Sequence, residues 1–400
     1  MSRRDTVMVL GGNVYSVPSI ASLKKNGYRI AVVDGNPLAP AMELADVRGG
    51  FDFRDAERGL ALAKAENVRA IIPTHDRGVV PAALISHALG LRGPSPEAAE
   101  IATSKKLMRK AWLDAGLPSP RIELAASEKE FMHAVAKTGF PAICKPTGDV
   151  GGGSRGVRKL DADTDLPLAY RFSSSFSDSP EVLVEPFFEG VEHSVEVLMR
   201  NGQGVALMVS DKVKSPLPYR VDKSVIYPTV MDGGHAENVR RVSIEAAKAV
   251  GLVDGAAHVE LCTLPDGSQR LFEIGLRCGG GATPHPIAEL VSGVNEIVEY
   301  AEILLGNGTR DFSPKYARGA VFHFITARPG TLKSVTGFEK AAAMPGIIDA
   351  YLTAKPGDAV RELKTSADRL GYFVSAAPTG PEAYRMALAA ERELNFIYEG

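Results

Sequence analysis

Two strand-like runs, AAHVELC with Glu260 and LFEIGLRCGGG with Glu273 and Arg277, hold the residues best suited to chemistry. The segment between them, TLPDGSQ, reads as a hairpin turn, because Pro, Asp and Gly each favour tight reversal. Pairing the two runs brings two carboxylates together, with a guanidinium on the same face of the second strand. Two acids held close in apolar surroundings repel and lose hydration unless a cation lies between them. Hard oxygen ligands of this kind suit magnesium (or manganese) shared with substrate phosphates, so nucleotide-dependent chemistry is the leading expectation.

Other residues could serve such chemistry. Lys145 ends an apolar run, FPAICKP, and an ammonium there seeks an anion because burying it unpaired is costly. The cluster TGDVGGGSRGV follows, with Gly151, Gly152, Gly153 and Ser154. Glycines let successive amides converge on an anion and let a loop close over it, although glycine clusters are also ordinary turns. No GxxxxGK[ST] pattern is present, so this is not a Walker loop. In VEPFFEGVEHSVEV, alternation puts Glu192, Ser194 and Glu196 on one face. Glu192 can accept from ribose hydroxyls and EPFF can offer backbone groups to an adenine edge; alternatively these acids face solvent on an edge strand. His258, His285, Arg318, His323 and Arg328 are further candidates for substrate contact, each with a structural role as the competing reading.

The surrounding elements must position these groups. TVMVL, RIAVVD and VRAIIPT are compact apolar runs separated by helical patterns, which gives a doubly wound α/β beginning. Ser16 is placed to cap the first helix, with Pro18 in its first turn and Gly27 at its end. A dinucleotide site is disfavoured, because Gly11, Gly12 and Asp34 lack the GxGxxG spacing. Near the end of the chain, GYFVSAAPTGPEAYRMALAAERE reads as strand, turn and amphipathic helix.

Composition narrows the class. With 400 residues, 45% hydrophobic and 24% charged, the chain can build two or three cores. A net charge of -2 gives no basic footprint for nucleic acid. No apolar run reaches the ~20 residues that span a bilayer, and MSRRDTVMVLGG reads as a first strand and not a signal peptide. Three scattered cysteines, Cys144, Cys262 and Cys278, form no CxxC pattern, which favours a reducing cytoplasm.

In order and spacing, Lys105, Lys145, the glycine loop, Glu185 to Glu192, Glu260, Glu273 and Arg277 resemble the ATP-grasp superfamily, and in particular its L-amino acid ligases and other carboxylate–amine ligases. The resemblance implies an ATP-grasp fold of α/β and α+β class. Residues 1–97 would be an N-terminal doubly wound domain, 98–310 the nucleotide-binding grasp with a mobile lid at about 120–188, and 311–400 a closing C-terminal segment. It further implies that Lys105 and Lys145 bind ATP phosphates and that Gly151 to Ser154 form the lid loop. Glu185, Pro186, Phe187 and Phe188 would form the adenine hinge, and Glu192 would bind ribose. Glu260 and Glu273 would hold magnesium, while Arg277 would steady a developing oxyanion.

Two departures are visible: Ser104 precedes Lys105 where Asp is usual, and Gly275 replaces the Asn of the E-x-N-x-R motif. The implied reaction joins a small carboxylic acid, such as an amino acid, to an amine through an acyl phosphate, releasing ADP and phosphate. The glycines after Arg277 leave room near a substrate carboxylate, and the glutamine-and-glutamate run expected of a bicarbonate enzyme is missing. A bicarbonate-using carboxylase or carbamoyl-phosphate-type enzyme is the alternative, and a non-catalytic nucleotide binder the third, encouraged by Gly275. The resemblance also suggests a homodimer.

Overall fold

Thr6–Leu10, Arg29–Val33 and Val68–Pro73 are parallel strands, apolar and buried along most of their length, with Arg29 and Arg69 as the charged exceptions. A three-residue strand, Val47–Gly49, extends the sheet at one edge and was too short to read from pattern. The computed structural model describes residues 5–147, 153–177, 179–307 and 312–399. Helices Val17–Lys25 and Ala56–Ala65 connect these strands, and Val79–Ala88 follows the last of them. Ser16 occupies the expected cap position but makes no side-chain cap bond. Asn13 takes that task one turn earlier, accepting from the Tyr15 amide at 2.9 Å, and the Ser16 hydroxyl turns to Thr74. The carboxyl ends of the strands put Asn13, Asp34 and Thr74–Asp76 along one rim, where open α/β sheets bind ligands.

Two antiparallel sheets follow. Glu123–Ala125, Val182–Pro186, Ala142–Pro146 and Arg158–Leu160 form a small sheet with helices Glu128–Thr138 and Leu166–Ser174. Its core of Phe131, Val135, Cys144 and Tyr170 is separate from the others. Gln203–Val209, Val191–Arg200, Gly255–Thr263 and Gln269–Gly275 form the second, backed by helix Gly233–Ala249.

A five-stranded sheet joins Asp211–Lys214 and Asp222–Tyr227 to Gly319–Ile325, Gly371–Ala377 and Ile347–Leu352. Hydrogen bonding therefore runs from the middle of the chain directly into its last third. Helix Gly380–Glu393 packs on this sheet and starts with a complete capping box between Thr379 and Glu382. One apolar core includes Ile20 and Val32, Tyr300 and Ile303, and Phe322 and Val374, tying the first sheet to the last. No described helix is long and apolar enough to cross a membrane.

Candidate active site

The hairpin at TLPDGSQ forms, and its register places Glu260 directly opposite Glu273. The next strand over puts Ser194 beside Glu260 and Glu196 beside His258, so one face carries a polar row across three strands. Lys105, Lys145, Gly153, Ser154, Glu185, Pro186, Phe187, Phe188, Glu192, Glu260, Glu273 and Arg277 all line one cavity between this face and the small sheet. Gly151 and Gly152 lie outside the described residues.

Lys105, Lys145, Lys214, Arg220 and Arg277, which line the cavity, are each paired with a carboxylate. Lys105 starts the helix Lys105–Asp114, whose first turn is capped by Ser104, and its ammonium reaches Glu273 at 3.1 Å. Ser104 thus performs the capping that Asp would perform. Burial lowers the Lys105 pKa, but Glu273 and Asp76 outweigh it and hold the amine charged. Lys212 and Lys214 alternate along Asp211–Lys214 and face the same way. Lys212 meets Glu260 at 2.7 Å, and Lys214 meets Glu192 at 2.7 Å and Asp222 at 2.6 Å. Burial pushes Glu260 up, yet Lys212, His258 and Lys214 keep it ionised well below the usual carboxylate range. Glu192 is likewise held low against burial by Lys214 and Arg220.

Glu185, expected at the adenine hinge, lines the cavity, and its carboxylate is engaged within the protein. Its side chain is 1% exposed and pairs with both Lys145 and Arg109, the latter at 3.0 Å. That carboxylate orients Lys145 and neutralises Arg109. Arg109 lies near the face of Trp112, and the indole donates to the Ala246 carbonyl at 3.2 Å. Beyond Glu185, the Phe187 ring lies beneath Lys159 and Arg220, and Arg270 lies over Phe188.

Ser154 takes left-handed backbone geometry, φ 58°, and its hydroxyl donates to the Arg220 carbonyl at 2.7 Å. The Gly153 carbonyl accepts from the Ser366 amide at 3.0 Å, and a Cβ at Gly153 would collide with that serine. The C-terminal third therefore touches the glycine loop directly.

Arg277 reaches Asp76, on the rim of the first sheet, at 2.9 Å. Burial would lower the arginine's pKa, but Asp76 more than offsets it. Gly275 explains the missing Asn in physical terms: a Cβ there would lie 2.5 Å from the Asp76 carboxylate. The space usually filled by a side chain from the same strand is taken by an acid from another sheet.

Sequence reading missed Asp76, Lys212, Lys214, Asp222, Arg220 and Arg369. The alternation DKVK and an acid just past the strand VRAIIP were the available signals for three of them. Among the other candidates, His258 lines the cavity, bridging Glu196 at 2.6 Å and Glu260 at 3.4 Å. Burial lowers its pKa, but Glu196 dominates and raises it to about 9. His323 is buried between Ser224 and Glu391, His285 pairs with Glu289, and Arg328 stacks on Tyr398, all structural uses.

Comparison with known proteins defines the class. A family model described as the ATP-grasp domain matches residues 138–285 of the chain. A second model, the L-amino acid ligase C-terminal domain 2, matches residues 323–399. The crystal structure of an L-amino acid ligase from Bacillus licheniformis superposes with TM-score 0.83 at 19% identity, over 100% of both chains. Carnosine synthase 1 of Homo sapiens is 27% identical over 80% of this chain, which spans only 41% of that protein. A D-alanine--D-alanine ligase of Bordetella avium is 27% identical over 66% of this chain and 84% of its own length.

Proposed function

We propose that this protein is an ATP-dependent carboxylate–amine ligase that activates a small carboxylic acid, such as an amino acid, as an acyl phosphate. The observation that carries this reading is the registered pair Glu260 and Glu273, flanked by Lys105, Lys145 and Arg277 around one cavity. Paired acids facing a cation-lined cavity fit a divalent metal bound with a polyphosphate. Magnesium held by Glu260 and Glu273 would screen phosphate charge and act as a Lewis acid toward the transferring phosphoryl group.

The chain's own groups supply the rest. Lys105 and Lys145 sit with ammonium groups already desolvated and paired, so a triphosphate exchanges partners with Glu273 and Glu185 instead of stripping water from free amines. A substrate carboxylate oxygen attacks the γ-phosphorus, the bond to ADP breaks, and positioning with charge stabilisation provides the catalysis. Arg277, fixed by Asp76, faces the carbonyl oxygen as an amine adds and phosphate leaves. The lid loop, tethered through Gly153 and Ser154, excludes water from the acyl phosphate.

The test is ADP and phosphate release with pooled amino acids, with hydroxylamine as a trap and product mass by spectrometry. Hydroxamate formation that depends on ATP and magnesium is the expected result. AMP and pyrophosphate as products, or ADP release dependent on bicarbonate, would overturn it.

A further inference from the structure

Beside the nucleotide cavity lies a wider one of about 550 Å³, and Asp76, Asp222, His258, Glu260 and Arg277 are among the residues lining both. The rest of its wall includes other parts of the chain: Tyr15 from the first sheet's rim, Phe322 and Phe324 from the strand Gly319–Ile325, and Arg369 from the loop before Gly371–Ala377. None of these four lines the nucleotide cavity.

Arg369 is the unusual member. Its guanidinium lies over the Phe324 ring, 3.6 Å from the centroid, and Nη2 donates to the Asp222 carbonyl at 2.8 Å. Nε has no hydrogen-bond partner among the described residues. Asp222 spends its carboxylate on Lys212 and Lys214, not on Arg369. A guanidinium facing a cavity with a carbonyl and a ring as its direct contacts, and no salt bridge among the described residues, is undercompensated, and a carboxylate is the ligand that matches its planar fork. Burial also depresses its pKa, and Asp222, Tyr15 and Glu260 do not restore it.

Resting on the ligase reading, we infer that Arg369 anchors the free carboxylate of the amine substrate, making an amino acid with an apolar side chain the nucleophile. The acid to be activated belongs at the shared end, beside Glu260 and Arg277, where phosphoryl transfer takes place. A second anion site on a residue that lines this cavity and not the nucleotide cavity then fits the other substrate. Tyr15, Phe322 and Phe324 provide an aromatic surface for its side chain, which fits leucine or phenylalanine better than a charged residue.

The loop that carries Arg369 is held by local hydrogen bonds. A short 3-10 turn, Ser366–Asp368, is closed by a capping box between Thr365 and Asp368, and Asp368 also binds Arg361 at 3.2 Å. This turn also supplies the Ser366 amide to Gly153, so the anchor and the lid contact lie three residues apart.

The experiment compares L-leucine and L-phenylalanine with their carboxamides as nucleophiles, using the full chain and its R369A and R369K variants. Hydroxamate formation with hydroxylamine measures acid activation separately. Wild type is expected to prefer the acids over the carboxamides by about tenfold or more, the worth of one charge-assisted contact. R369A should raise KM for the acids by a similar factor, lower the ligation-to-hydroxamate ratio and erase the preference, with R369K recovering part of it. Equal use of acid and carboxamide by wild type, or a loss in R369A that falls equally on hydroxamate formation, would overturn the assignment. If wild type forms no hydroxamate, the ligase reading itself fails. Calorimetric titration with L-phenylalanine and L-phenylalaninamide then decides for Arg369 alone: acid-selective binding lost in R369A supports it, and no selectivity refutes it.

Discussion

Gly275→Ala is the most informative single perturbation, because its effect follows from one distance. The new Cβ would lie 2.5 Å from the Asp76 Oδ1, and ordinary contact begins near 3.4 Å, so the carboxylate must retreat by about 0.9 Å. Its other oxygen holds Arg277 at 2.9 Å, and a retreat of that size takes the pair beyond hydrogen-bonding range. Losing a charge-assisted hydrogen bond costs about 1.5–3 kcal/mol, which predicts a fall in kcat/KM of about ten- to a hundredfold if Arg277 acts in the transition state. Coupled ADP release measures it, with circular dichroism to show an intact fold. In a D76A background the obstruction is gone, so Gly275→Ala should add little, and the cycle should show a coupling of about 1–3 kcal/mol. Purely additive losses would falsify the claim that the Asp76 carboxylate is the reason for glycine here.

Three other outcomes are expected. Glu273→Gln should abolish metal-dependent phosphate release, exceeding the ~10–100-fold loss typical of an outer-shell partner, and near-normal turnover would remove it from the metal site. Glu185→Gln strands Lys145 and Arg109 inside the protein; breaking a buried pair costs about 3–5 kcal/mol, so thermal unfolding should move sharply downward, and a Tm within a degree of wild type would contradict the buried pairing. Glu391 is pushed up by burial but held below its ordinary value by His323, so the stability it adds is complete above the unfolded carboxylate pKa and is lost as pH falls through the depressed one. Tm measured against pH should show this acid step in wild type and a flatter profile in Glu391→Gln.

Local chemistry made part of this site readable. The acids at the ends of two apolar runs, the Pro-Asp-Gly reversal between them and the period-two pattern around Glu192 each depend on near neighbours, and all three appear in the structure. Lys145 was legible as a cation needing an anion, but its partner was not, because Glu185 lies forty residues away. The acid within the apolar run VLVEP was a sign of a buried carboxylate in need of a cation. Asp76 and Arg369 come from opposite ends of the chain and meet the site only through packing of sheets, which no local pattern encodes. The same holds for the five-stranded sheet, where Ser224 pairs with His323 across almost a hundred residues.

The chain contains one tryptophan, and its place has a practical consequence. Trp112 is fully enclosed, and its neighbour Arg109 shares a carboxylate with Lys145. Any nucleotide that draws Lys145 away from that carboxylate alters the electric field at the indole. The protein thus carries an intrinsic optical reporter: emission from a single dark-buried fluorophore should track occupancy without a dye, a tag or turnover.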